Sequence, residues 1–153
     1  MVEKLDLTQK LLCNKVGKMF ELAAQNLSCY ELSFCEAWLQ SDISKQIQEL
    51  EETLICQSKT YFLNSFNKSI SLPSHEGYKM DSDSMYWIGY LLTYWMFIED
   101  VEGEFILKKY NLKAVLEQYD VLHTMSIKSA IKTIKNDYSN KSVLLDSILH
   151  SNK

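Results

Sequence analysis

The sequence predicts an all-α protein, a compact single-domain bundle of about six to seven helices around a central aromatic helix at residues 85–98. Three observations carry this. Glycine and proline number only four and one in 153 residues, so the punctuation that strand-and-turn architectures need is missing. Apolar residues recur at steps of three and four through most of the chain. The hydrophobic fraction of 46% and charged fraction of 24% are those of an ordinary globular domain.

In chain order, Leu5, Leu12, Val16, Met19, Phe20, Ala23 and Leu27 share one helical face. Ser28 offers a cap for a second helix, in which Tyr30, Phe34 and Trp38 recur every fourth residue. Ser41 is the expected cap of a third, with Asp42 well placed in its first turn. Its stripe runs Ile43, Ile47, Leu50, Leu54. Beyond Cys56 the pattern weakens, and Tyr61 to Phe66 reads as helix or irregular chain. Residues 69–84 hold the one proline, Gly77 and five serines, and form the expected loop between two helical halves.

Met85 to Ile98 is apolar nearly all round. Its fourteen residues span about 21 Å as a helix, short of the roughly 30 Å of bilayer hydrocarbon. Acids flank it where membrane spans prefer lysine and arginine, so a buried bundle helix is expected and no membrane span. Short helices are expected at Glu104–Tyr110 and Leu112–Tyr119, with His123 and Thr124 in a turn. Ser126 caps a helix that buries Ile127, Ala130, Ile131 and Ile134 and leaves Lys128, Lys132 and Lys135 as a solvated face. Val143 to Leu149 reads as one more short helix.

The net charge is −4 and all sixteen basic residues are lysine. Without arginine there is no planar fork for phosphate, carboxylate or guanine, and nucleic acid is not the expected partner. Cys13, Cys29, Cys35 and Cys56 show no zinc spacing. The N-terminal stretch turns amphipathic at once, with no signal-peptide core. A reducing cytoplasmic setting with free, buried thiols is the expectation.

The histidines, His75, His123 and His150, lie in separate regions. No phosphate-loop, dinucleotide, zinc-protease or nucleophile-elbow motif occurs, so neither an enzyme nor a cofactor is expected. Tyr86, Tyr90 and Tyr94 repeat every fourth residue. They serve either as core residues whose hydroxyls reach the rim or as an aromatic surface for a partner. Glu99, Asp100, Glu102 and Glu104 form an acidic cluster that is a solvated face, a charged binding surface or, with less support, a metal site. His123 is a turn residue bonded to nearby backbone or a contact for a partner.

Tyr119-Asp-Val-Leu-His-Thr124 resembles a motif of a small bacterial family of unknown function encoded beside ADP-ribosyltransferase-like toxins. Glu104 to Leu112 before it and Ile127 to Ile134 after it extend the resemblance. Trp38 to Ser44, Tyr86 to Tyr90 and Tyr94-Trp95 are similar to longer relatives in such loci. The aromatic helix departs in carrying Leu92 and Thr93 where a basic residue is expected. The resemblance implies an antitoxin component whose partner is the cognate toxin, with Tyr119, His123 and Thr124 joining the tyrosines and acids as candidate contacts. A nucleic-acid-facing regulator using Lys128, Lys132 and Lys135 is the alternative, followed by an enzyme that reverses the toxin's modification.

Overall fold

The computed structural model describes residues 4–151, with side chains described through residue 139 and at Ile148. Helix α1 (Leu7–Asn26) starts at a capping box. The Asp6 carboxylate accepts the Gln9 N–H at 2.8 Å, and the Gln9 side chain accepts the Asp6 N–H at 3.0 Å. Helix α2 (Glu31–Gln40) starts later than Ser28 suggests. Tyr30 is its cap residue, with no side-chain cap bond, while the Ser28 carbonyl accepts the His75 N–H at 2.6 Å. Ser41 caps α3 (Asp42–Gln48) as its sequence position predicts, accepting the Ser44 N–H at 3.2 Å.

The stripe from Ile43 to Leu54 is not one helix. Leu50 takes φ 58°, a left-handed conformation that ends a helix, and Leu54 belongs to a separate single turn, α4 (Glu52–Ile55). Ser58 caps α5 (Lys59–Ser69), which resolves the weak region as helix. The segment 70–81 then leads to α6 without helix. The central helix α6 (Ser82–Glu99) begins three residues before Met85, because Asp81 accepts the Ser84 N–H at 2.8 Å.

Four helices follow: α7 (Gly103–Lys109), α8 (Leu112–Glu117), α9 (Tyr119–Leu122) and α10 (Ile127–Ser151). Asn111 caps α8 and Ser126 caps α10. The expected tail helix at Val143–Leu149 is the continuous end of α10; its side chains other than that of Ile148 lie outside the described residues, as does that of His150. The described residues thus hold ten helices rather than six or seven, because turns near Leu50 and Gln118 divide what the apolar spacing joins.

No strand occurs among the described residues, and the bundle is built around α6. Its Met85, Ile88, Leu91, Leu92, Trp95 and Met96 are almost fully buried. Helix α1 lies antiparallel against it: just past the end of α1, the Glu31 carboxylate accepts the Asp81 N–H at the start of α6. Each helix gives the other a glycine. A Cβ on Gly17 would meet the Tyr86 ring at 2.9 Å, and one on Gly89 would meet the Phe20 ring at 2.7 Å. Phe20 in turn packs edge-on against Phe34 and Trp38, with centroids 4.9 and 5.7 Å apart, and Phe66 closes the cluster from α5. One contiguous core results, running from Leu5 to Ile134.

Candidate functional site

The ten residues singled out by sequence fall in three places. Tyr86, Tyr90 and Tyr94 form a rail along α6 beside α1, with ring centroids 6.2 and 6.4 Å apart. All three are half-buried, between the two readings of their spacing. The Tyr86 hydroxyl donates to the Asn14 side chain of α1 at 2.5 Å. Burial raises the phenol pKa of each tyrosine, with Glu21 adding to the effect at Tyr86.

The acidic residues do not share one surface, because the backbone between them turns sharply. Asp100 takes φ 52°, ψ 53° and ends α6 in the left-handed region. Glu99, just before the turn, points inward: its carboxylate accepts the Trp95 indole N–H at 2.7 Å and binds the Lys135 ammonium from α10. Its side chain is only 15% exposed, so it ties two helices together rather than serving as a rim charge. Lys135 is therefore not part of a solvated lysine face. Beyond the turn, Asp100 accepts from the Gln48 side chain at 2.9 Å and Glu102 faces Lys45 at 3.7 Å, both on α3. Glu104 pairs within its own helix with Lys108 at 3.8 Å. Among the described residues, no group of three or more metal-ligating side chains is gathered in one place.

Tyr119, His123 and Thr124 do come together, at α9. The Tyr119 ring stacks on His123 with centroids 4.4 Å apart, and His123 Nδ1 lies 2.6 Å from the Tyr119 carbonyl. Thr124 donates to the Val121 carbonyl at 2.7 Å. On its other side Tyr119 meets Trp87 edge-on at 5.4 Å. Burial, followed by Asp83 and Asp81, raises its pKa, which places this turn near the start of α6. The acids lie at the opposite end of that helix. His123 therefore bonds neighbouring backbone, as a turn histidine would, while remaining exposed. The product of these contacts is Val121, an apolar side chain 61% exposed on a braced turn.

Two features escaped the sequence reading. Leu7 and Leu11, at the start of α1, are 72% and 58% exposed. Both fall off the apolar stripe of Leu5, Leu12, Val16 and Met19, so the helical spacing does not single them out. Segment 70–81 is also anchored more firmly than a serine-rich loop suggests. His75 stacks on Tyr30 at 3.9 Å, and the Tyr78 hydroxyl donates to Glu31 at 2.5 Å. That bond, aided by burial, raises the Tyr78 pKa to about 12.

The thiols divide three to one: Cys13, Cys29 and Cys35 are buried, and Cys56 is exposed, contrary to the expectation of four buried thiols. Among the described residues no helix is long and apolar enough to cross a membrane. No family model, no curated protein and no solved structure matches the chain.

Proposed function

We propose that this chain neutralises an ADP-ribosyltransferase-like toxin by binding it directly, occluding its nicotinamide-dinucleotide or substrate cleft. The sequence resemblance across Glu104 to Ile134 supports the kind of partner. The observation that carries the binding mode is the braced turn at α9. Val121 stands 61% exposed on a turn fixed by the Tyr119–His123 stack and the Thr124 bond. An apolar knob already held in place loses little conformational freedom when a partner closes over it. Phe105, 44% exposed on α7, adds a second apolar contact within the resembling stretch. Asp100, Glu102 and Glu104, all exposed, lie at the other end of α6 and supply charge that steers encounter from a distance rather than setting affinity at the turn. A stable interface of this kind removes about 1,200–2,000 Å² from water.

The test is co-expression with the toxin encoded beside the gene. The wild-type chain should form a complex of fixed stoichiometry and restore growth. Val121→Asp with His123→Ala should stay folded, release the toxin faster and protect less well. Equal protection by the folded variant would remove α9 from the interface. A wild-type chain that neither binds nor protects would overturn the toxin-binding reading itself.

A further inference from the structure

We propose that the exposed face of α1, continued by the tyrosine rail of α6, docks an acidic amphipathic segment of the partner protein; this rests on the toxin-binding reading above. Leu7 and Leu11 lie one turn apart, and the stripe they begin continues through Asn14 and Lys18 at steps of three and four. Asn14 holds the Tyr86 hydroxyl. Because α6 runs antiparallel to α1, Tyr90 and Tyr94 step back along that edge toward Leu11 and Leu7. Two leucines alone on a surface require no explanation. A leucine pair on the helix face that Asn14 joins to three half-exposed tyrosines has the composition that interfaces favour.

The polar groups around the patch identify its complement. Lys10 and Lys18 are exposed, and no carboxylate among the described residues pairs with either. Lys15, on another face of the same helix, is by contrast fully used, donating to the carbonyls of Ile55 and Gln57 at 2.9 and 2.8 Å. Among the described residues the Tyr90 and Tyr94 hydroxyls also have no hydrogen-bond partner, whereas that of Tyr86 does. The face therefore offers ammonium and phenol donors around an apolar centre, with Glu21, which acts on Tyr86, on its inner edge among the described residues. A second copy packed antiparallel about Asn14 would set Lys10 against Lys18, a like-charge pairing that disfavours self-association. The complementary ligand carries apolar anchors at helical spacing with carboxylates beside them, laid along the groove edge between α1 and α6.

The test uses the full chain and the neighbouring toxin as probe, with binding titrated at low and moderate salt. Two variants are compared, Leu7→Asp/Leu11→Asp and Lys10→Glu/Lys18→Glu, each checked by circular dichroism. The leucine variant should lose about tenfold or more in affinity, the scale of one well-buried anchor. The lysine variant should bind several-fold more weakly at low salt and show a flatter salt dependence. If the leucine variant unfolds, the lysine variant, which disturbs no apolar contact, decides the matter alone. Wild-type binding that neither variant changes overturns this face and leaves the toxin reading standing. A wild type that does not bind overturns both. Unchanged toxin binding together with variant-sensitive binding to anionic lipid vesicles, or with a dimer that both variants abolish, overturns the proposal in favour of a membrane or of a second copy.

Discussion

Gly103 sits so close to Leu39 that a Cβ placed on the glycine would lie 2.4 Å from the Leu39 carbonyl oxygen. That contact brings the start of α7 onto the end of α2. On helix propensity alone, alanine at position 103 would gain up to about 1 kcal/mol. The obstacle is backbone and cannot swing away, and overpacking of this kind costs about 1–3 kcal/mol. Gly103→Ala is therefore expected to be net destabilising, read as a lower urea midpoint. A midpoint equal to or above wild type would show that α7 can shift away from α2.

The indoles of α6 give a second expectation. Trp95 is 1% exposed and donates to Glu99, whereas the Trp87 indole N–H is buried and finds no acceptor among the described residues. Replacing Trp95 by Phe strips Glu99 of a donor as well as volume. Replacing Trp87 by Phe loses volume but also removes an unsatisfied group, whose burial costs about 1–3 kcal/mol. Trp95→Phe should thus lower stability by about 1–2 kcal/mol more than Trp87→Phe, while either change to alanine should cost about 3–5 kcal/mol. The reverse order in urea unfolding would mean that the Glu99 bond contributes little.

Thiol labelling separates the cysteines. Cys56 should react in the native protein, and Cys13, Cys29 and Cys35 only after denaturant is added, one equivalent rising to all four. Burial both blocks the reagent and holds the thiol protonated, pushing Cys13 up to about 12. Two or more fast equivalents in the native state would place the α1–α2 region in frequent local opening.

The same thiols set an alkaline limit. From their ordinary value of 9.0 upward, the unfolded chain releases the Cys13 and Cys35 protons while the folded chain keeps them. The folded state then binds more protons, so stability must fall as pH rises. Each group removes about 1.4 kcal/mol per pH unit through that range. Burial and the neighbouring Glu31 act in the same direction at Cys29. The urea midpoint should hold level from pH 7 to 8 and drop from pH 9 onward. A midpoint flat to pH 11 would show that these thiols ionise freely in the fold.

Much of the architecture was legible in the sequence, because local chemistry states it. Ser41 and Ser126 cap helices where their positions predict, and the apolar run of α6 is the core it reads as. What was not legible depends on single backbone conformations. Leu50 at φ 58° breaks an apolar stripe that looks continuous. Asp100 at φ 52° ends α6, so Glu99 stays on the helix beside Trp95 while Asp100 and Glu102 turn to α3. Neither residue is a glycine; leucine rarely adopts this region, and aspartate, though enriched there, marks it only weakly. Four acids in six positions thus read as one patch and fold as four separate contacts. Leu7 and Leu11 were missed for a different reason: period alone does not say which apolar residues the fold leaves uncovered.

The reciprocal glycines of α1 and α6 have a consequence for descent. Gly17 admits the Tyr86 ring and Gly89 admits the Phe20 ring, so each small residue is tied to a large one on the other helix. Drift at one position constrains its opposite. At 17 the Tyr86 backbone carbonyl lies 3.0 Å from where a Cβ would sit, and no exchange at 86 removes it. Across an alignment of descendants glycine should therefore persist there, whereas a bulkier residue at 89 should appear only with a smaller one at 20. The 89–20 pair should covary more strongly than surface positions on the same helices, and the helix crossing should be inherited with it.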